Sequence, residues 1–529
     1  MRMTNKIMQN NSLYNINNNK IMQDKLSTMM ATQKKIAKPS DDPVVAIRAL
    51  RLRTSVSELT QYYEKNAPDA ESWLDVTTKA LENTIAEVLT QMNKTANKAA
   101  NKEYGSEDLA VFVEQLKSLR NEFYSTGNLD YAGRYVFTGY RTDTPLTFMK
   151  DVEDEPTGVP SYEITEQVTI GDFDKVNYTY SAGLEGINKN NYADHLGDNI
   201  DENKIENGDI YRLRLSYDAL KEGVNPEIKY TDKNNMPQTM TIAPAVSVNA
   251  DPDPYKRVLD DPNLAVFVPE TGEILFGANA YNNLAGNTTT QTEFQVTYTK
   301  DSWKNGDLRP EHYFACKKAA VDENGQPVMN ADGTPKVIDY NPEYLKVGNT
   351  NKQAIEYDVG YNQKIQVNTT ADKVFVHGLD RDIDDLERAL TALTDMDATM
   401  TDLDLVLKGM DESDPNYGAV KKQYDAAKKS YDYLRENIHT MFEGTITKTQ
   451  EYLDMTNLAV TDNGTRSQRL ELISNRLMDQ RTNFKTLQSE NEDIDIAEVI
   501  IQLTSTELTY NSALMATGKI MQTSLMNYI

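Results

Sequence analysis

Residues 492–529 read EDIDIAEVIIQLTSTELTYNSALMATGKIMQTSLMNYI, and the pattern in them decides how the rest of the chain is arranged. At helical spacing they present Ile496, Ile500, Leu503, Tyr510, Leu514, Met521 and Leu525 as one row. Ile501, Leu508 and Met515 form a second row in steps of seven. Together the rows make an apolar stripe too wide for a two-helix seam, so this helix needs several neighbours at once. From Leu508 onward the only charged side chain is Lys519. A lone molecule does not normally leave such a surface in water, and chain ends are easily left unpacked. The stretch therefore reads as an assembly surface, buried between copies or partners.

The first residues look like its mate. Ile7, Tyr14 and Ile21 repeat every seven residues, and Met22, Met29 and Ile36 continue one position over. That drift is what a nearly straight helix shows against a seven-residue repeat. Asn10, Asn11, Asn15, Asn17, Asn18 and Asn19 make the segment a mediocre helix former, frayed or unfolded without a partner. If helical, residues 4–37 and 494–529 would each span about 50 Å at roughly 1.5 Å per residue. Equal lengths at opposite ends predict antiparallel pairing. The plainer alternative is two ordinary core helices of one globular domain.

A chain of 529 residues has room for several domains. Its formal charge of −26 argues against nucleic acid as a partner, because phosphates would be repelled and no basic cluster offsets the excess. No run of about 20 apolar residues is present, so no membrane span is expected. The start, Met-Arg-Met-Thr-Asn-Lys-Ile, lacks the apolar core and small-residue cleavage site of a secretory signal. Cys316 is the single cysteine, which excludes an internal disulfide framework. On these facts alone the chain reads as cytoplasmic.

After the first helix, Asp42 is placed to cap a new one with Pro43 at its first position. Val45, Ala49, Leu52, Val56, Leu59 and Tyr63 follow in steps of four and three. Pro68 punctuates the run and Asp69 offers a fresh cap, after which Leu74, Leu81, Ile85, Val88 and Met92 continue the stripe. Gly105 and Ser106 break it before a further helix through Leu109, Phe112, Leu116, Leu119 and Phe123. From Gly127 the texture changes, and from about 140 to 377 it is alternation with turns. Tyr162 and Ile164, Val176 with Tyr178 and Tyr180, Phe294 with Val296 and Tyr298, and Ile355 with Tyr357 and Val359 read as strands. Asn324-Gly325 and Asp332-Gly333 read as hairpin turns. Helices resume at Asp380 with Ile383, Leu386, Leu390, Leu393, Met396, Met400, Leu403 and Leu407, and a loop spans Gly409 to Pro415. Val420, Tyr424, Ala427, Tyr431, Leu434, Ile438 and Met441 make the next helix. Asn463-Gly464 marks a turn before Leu470, Ile473, Leu477, Phe484 and Leu487.

The predicted class is α+β: a long antiparallel helical coiled-coil bundle built from both chain ends, with a central inserted β-rich domain, in one or two sheets. Its parts are an N-terminal assembly helix at 1–37, a helical rod at 38–140, the inserted variable domain at 141–377, the returning rod at 378–491 and a C-terminal assembly helix at 492–529. The assembly interface is assigned to Ile7, Tyr14, Ile21, Met22, Met29, Ile500, Leu503, Leu508, Tyr510, Leu514, Met521 and Leu525.

Four stretches carry a family resemblance. They are Lys38-Pro39-Ser40-Asp41-Asp42-Pro43-Val44-Val45-Ala46, Gly133-Arg134-Tyr135-Val136-Phe137-Thr138-Gly139-Tyr140, and Tyr357-Asp358-Val359-Gly360 through Val367-Asn368 to Val374-Phe375. The fourth is Asn475-Arg476-Leu477 with Glu492-Asp493-Ile494-Asp495 and the ending Lys519 to Leu525. The chain thereby resembles the flagellin superfamily and, within it, the proteins of the hook–filament junction; flagellin itself has an Ala-Lys-Asp-Asp-Ala-Ala-Gly type of segment in place of the first stretch. The resemblance covers both helical thirds and leaves the insertion poorly matched. It implies export in unfolded form without a cleaved signal, through the flagellar secretion channel, to an extracellular place in the flagellum. That overturns the cytoplasmic expectation. It also implies ring assembly with copies of itself, contact with hook-associated protein 1 and flagellin, and an export chaperone. The terminal helices would form an inner tube, with rods around them and the sheet facing solvent.

No enzyme chemistry is evident in the residues, and no cofactor is expected. His195, His312, His377 and His439 lie far apart and none sits in a His-Glu-x-x-His pattern, the zinc-protease motif some flagellin relatives carry. Pro310-Glu311-His312-Tyr313-Phe314 with Cys316 falls short of the roughly four ligands of a tetrahedral site, so a partly buried loop histidine is the expectation. Asp322-Glu323-Asn324-Gly325 and Asn330-Ala331-Asp332-Gly333 lack the calcium-loop spacing and read as turns. Asp380-Arg381-Asp382-Ile383-Asp384-Asp385 reads as acidic residues favoured at a helix start. Two alternatives stand beside the junction protein: a filament-forming flagellin, and a glycan-binding or enzymatic module housed in 141–377 and carried on the rod.

Overall fold

The computed structural model describes residues 5–151, 161–250, 252–320, 328–345 and 353–522. Its helices are α1 (Asn5–Thr32), α2 (Pro43–Gln61), α3 (Ala67–Ala80), α4 (Ala86–Ala99), α5 (Ser106–Thr126), α6 (Pro254–Asp260), α7 (Ala278–Asn287), α8 (His377–Gly409), α9 (Tyr417–Glu492) and α10 (Ile496–Gln522). The strands are β1 (Asp130–Tyr131), β2 (Arg134–Tyr135), β3 (Tyr162–Val168), β4 (Phe173–Tyr180), β5 (Glu206–Arg214), β6 (Glu227–Thr231) and β7 (Pro237–Met240). They continue with β8 (Ala265–Val268), β9 (Glu273–Phe276), β10 (Phe294–Lys300), β11 (Ala315–Ala319), β12 (Val337–Tyr340), β13 (Glu356–Gly360) and β14 (Gln363–Gln366). The class is mixed α and β. The chain divides into two compact units, one of Met1–Ser72, Tyr357–Ile365 and Ser467–Ile529, the other of Trp73–Glu356 and Gln366–Arg466.

In the first unit, α2 starts as its sequence dictates. Asp42 is extended and its carboxylate accepts from the backbone N–H groups of Val44 and Val45, with Pro43 opening the helix. Pro68 does not end the run. The chain stays helical through a π-turn at Tyr62–Asn66, where Ala67 N–H reaches Tyr62 O. The wider turn accommodates a residue that lacks its own donor and crowds the carbonyl four residues back. The first helix ends at Thr32, short of the expected residue 37, because Gln33 turns into the left-handed region at φ 55°.

The second unit holds two antiparallel sheets, in orders β12-β11-β3-β10-β6-β7 and β4-β5-β9-β8. Ile164 stands opposite both Tyr298 and Cys316 in the first. Tyr162, Ile164, Phe294, Val296 and Tyr298 alternate inward there, and meet Phe173, Leu213, Phe267, Ile274 and Phe276 of the second sheet in one buried core. The expected strands at 162, 176, 294 and 357 are present. The Asp332-Gly333 turn forms, with Gly333 at φ 81° and Asn330 N–H bonded to Thr334 O; Asn324-Gly325 lies outside the described residues. In the same unit α4, α5 and α8 pack in series, and the 182–205 segment seals the far ends of α8 and α9 through Leu184, Ile187, Ile200 and Ile205.

Asn463-Gly464 is no turn. It lies inside α9, which runs 76 residues, and Asn463 Nδ2 donates to Leu74 O at 2.8 Å and to Thr78 Oγ1 at 2.6 Å. A buried amide spent on a neighbouring helix overrides the local turn preference.

Candidate assembly surface

Within the first unit α1 lies along α10. The end of one meets the start of the other: Ile494 N–H reaches Gln33 O, and Lys34 bridges Asp493 in antiparallel sense. The seam is a row of fours and threes on each helix. On α1 the sheltered positions are Met8, Ser12, Ile16, Asn19, Gln23, Leu26 and Met29, with Leu26 buried. On α10 they are Val499, Leu503, Thr506, Tyr510, Ala513 and Thr517, with Val499 and Thr517 buried.

This seam divides the residues expected to act together. Leu503, Tyr510 and Met29 face the partner helix and are half-buried. Ile7, Tyr14, Ile21, Met22, Ile500, Leu508 and Leu514 face away and stay exposed, Tyr14 by 67%, Ile21 by 68% and Leu508 by 70%. Ile501 and Met515 join them. Met521 falls within α10, and Leu525 lies outside the described residues. Sequence periodicity missed Ser12, Asn19, Thr506 and Thr517, because small polar residues at a helix crossing carry no hydropathy signal.

A charged joint closes the helix pair at its base. Arg53 donates from Nε and Nη2 to the two carboxylate oxygens of Glu492, at 2.8 and 2.5 Å. Glu492 is buried, and the Arg53 hydrogen bonds hold its carboxyl below the usual range. Lys34 contacts Asp493 and Glu492, and its hydrogen bond with Asp493 holds that carboxyl down in turn. Lys35 N–H donates to Glu492 O at 2.7 Å. Asp495 caps α10 by accepting from the N–H groups of Ala497 and Glu498. Lys38 and Pro39 line one small cavity with Lys34, Arg53 and Glu492, so two stretches that the sequence singles out separately lie at this joint.

In the second unit the Asp380–Asp385 run lies in the opening turns of α8, as expected, and Asp382 and Asp385 within it are buried. Arg212 reaches Glu273 at 3.0 Å and Asp385 at 2.5 Å, while Arg214 reaches Asp382 at 2.6 Å and Asp385 at 2.8 Å. Burial opposes the Asp385 charge, yet Arg212, Arg214 and Arg388 hold its carboxyl well below the usual range. His377 is packed among Tyr217, Tyr313 and Phe314, and burial pushes it down to about 3. His312 is buried with Nε2 3.0 Å from Pro145 O. Among the described residues no three His, Cys, Asp or Glu side chains are grouped to hold a metal, and no helix is long and apolar enough to cross a membrane.

The bacterial flagellin N-terminal helical region matches residues 3–142 of this chain. More particularly, the chain is similar to flagellar hook-associated protein 3 of Escherichia coli, 27% identical over 148 residues, which are 27% of this chain and 45% of that protein. The protein of the same name from Salmonella typhimurium is 27% identical over 147 residues, again 27% of this chain and 45% of the relative. The chain thus spans about half the length of the curated relatives it matches. The solved structure of flagellar hook associated protein-3 from Legionella pneumophila aligns with 83% of this chain and 97% of its own at 10% identity, with a TM-score of 0.30. The sequence matches point to the bacterial flagellum and to structural, hook-associated proteins of motility.

Proposed function

We propose that this protein is a hook–filament junction component of the bacterial flagellum that polymerises through its terminal helices, linking hook-associated protein 1 to the flagellin filament. The observation that carries the proposal is the outer face of the α1–α10 pair. That pair has its own seam, yet it leaves Ile7, Tyr14, Ile21, Ile501, Leu508 and Met515 in water. Exposed apolar area on this scale marks a surface that a partner covers. Copies of the chain in a ring are the occupants, with hook-associated protein 1 and flagellin above and below. In this proposal 1–37 and 492–529 act as assembly helices of a coiled-coil bundle, 38–140 and 378–491 as rods, and 141–377 as an inserted domain. Export without a cleaved signal, accompanied by a chaperone, belongs to the same proposal.

Immunogold labelling of isolated flagella tests it. A single band near the hook is expected; labelling along the whole length would make the chain a filament-forming flagellin instead.

A further inference from the structure

Between the four-stranded sheet and the helices of the second unit lies a cleft of about 540 Å³, within the range of about 300–1,000 Å³ usual for small-ligand sites. Val176 and Met441 give it an apolar wall, backed by the buried Leu386. Tyr178 and Tyr255 line it as a stacked pair, 5.3 Å between ring centroids. Their hydroxyls are committed to Asp253 and Glu273, so what they offer a ligand is ring surface.

The ions of the cleft are already matched. Lys175 pairs with Asp209 at 2.6 Å, Lys448 with Asp382 at 2.7 Å, and Arg388 with Glu273 at 2.8 Å. A charged ligand would have to break such pairs, whereas a neutral one can hydrogen-bond to their outer edges and to Thr440. Gly444 adds an independent observation. It sits inside α9 on the cleft wall, and a Cβ there would meet no atom within 4 Å. Glycine in a helix interior is destabilising relative to alanine, and no close packing calls for it here. The cleft wall therefore carries no side chain at this position, and a larger residue there would extend into open space.

We propose that this cleft binds a short neutral oligosaccharide. A sugar ring has an apolar C–H face, which suits the tyrosine rings, and a rim of hydroxyls, which suits paired carboxylates, guanidinium edges and a threonine. The inference stands apart from the junction assignment, since it concerns a site within the second unit alone.

The test is titration of the full chain with a panel of neutral di- to tetrasaccharides, alongside sulfated and sialylated ones, by calorimetry or ligand-observed NMR. At least one neutral sugar should bind with micromolar to millimolar affinity. Gly444→Phe, which fills the cleft, should weaken it about ten-fold or more with thermal unfolding unchanged. Should that variant lose its fold, Thr440→Trp on the same wall gives the same readout. Absence of binding by every neutral sugar at millimolar concentration overturns the proposal. So does binding that survives the filled cleft, or a preference for the charged sugars.

Discussion

Arg53 holds Glu492 through two parallel hydrogen bonds, tying the middle of α2 to the residue where α9 gives way to α10. The contact sits at the base of the helix pair. Replacing the guanidinium by a neutral chain, Arg53→Met, leaves a buried carboxylate with Lys34 3.6 Å away. Arg53 is itself largely exposed, so the cost is moderated by solvent, about 1–2 kcal/mol. Amide exchange in α1 and α10 should quicken accordingly. Glu492 titrates below its ordinary value of 4.5 because of Arg53. Its contribution is therefore present above that pH and lost as pH falls through the lower folded value. Protection factors in α1 should fall in the parent as pH is lowered from 7 through the Glu492 titration, and fall less in Arg53→Met.

The second unit depends on a different ionic arrangement. Arg212 lies between Glu273 and Asp385, all three buried. Arg212→Met removes one shared partner and leaves Glu273 to Arg388 and Asp385 to Arg214 and Arg388, for which a loss of about 1.5–3 kcal/mol is expected. Urea denaturation followed by tryptophan fluorescence reads it directly, since Trp73 and Trp303 both belong to this unit and are buried. A variant with an unchanged midpoint would show that the pairs contribute nothing net.

Asp384 carries a pH dependence of opposite sign. Burial and the neighbouring Asp380 raise its carboxyl from 3.8 to about 6 despite Arg120 and Arg381. A raised carboxyl favours the protonated form in the fold, so its contribution is complete below its unfolded value and lost as pH rises through about 6. Asp384→Asn should stabilise the protein by about 1–2 kcal/mol at pH 8 and leave it unchanged at pH 4. Denaturant midpoints of parent and variant at the two pH values decide the point.

The helix–sheet–helix layout is legible in the sequence because the hydrophobic period switches from helical to alternating near Gly127 and back near His377. Caps are legible for the same local reason, as Asp42 with Pro43 demonstrates. Long-range polar partners are not. Asp382 and Asp385 read only as acidic residues of a helix start, and nothing local signals that Arg212 pairs with Asp385 from 173 positions away in the chain. Asn463-Gly464 looks like a turn until the amide finds Leu74, 389 positions distant. The assembly stripe was half legible. Periodicity found the apolar rows, but which row faces the partner helix depends on Ser12, Asn19, Thr506 and Thr517, whose small size permits close approach and whose polarity hides it.

That split yields the sharpest test of the assembly surface. Leu503 is half-buried against α1, whereas Leu508, five residues on, is 70% exposed. Leu503→Asp places a carboxylate in the seam and should both loosen the helix pair and abolish polymerisation, an unpaired buried charge costing several kcal/mol. Leu508→Asp falls on the outward, largely exposed face of α10, so helix content and the unfolding midpoint should match the parent. Polymerisation should nevertheless fail, because the outward row is where a neighbouring copy would bury that carboxylate. Sedimentation of the purified variants, with electron microscopy of flagella from cells expressing each, separates the two effects. A Leu508→Asp protein that still builds a normal junction would remove the outer row from the assembly surface, whatever Leu503→Asp does.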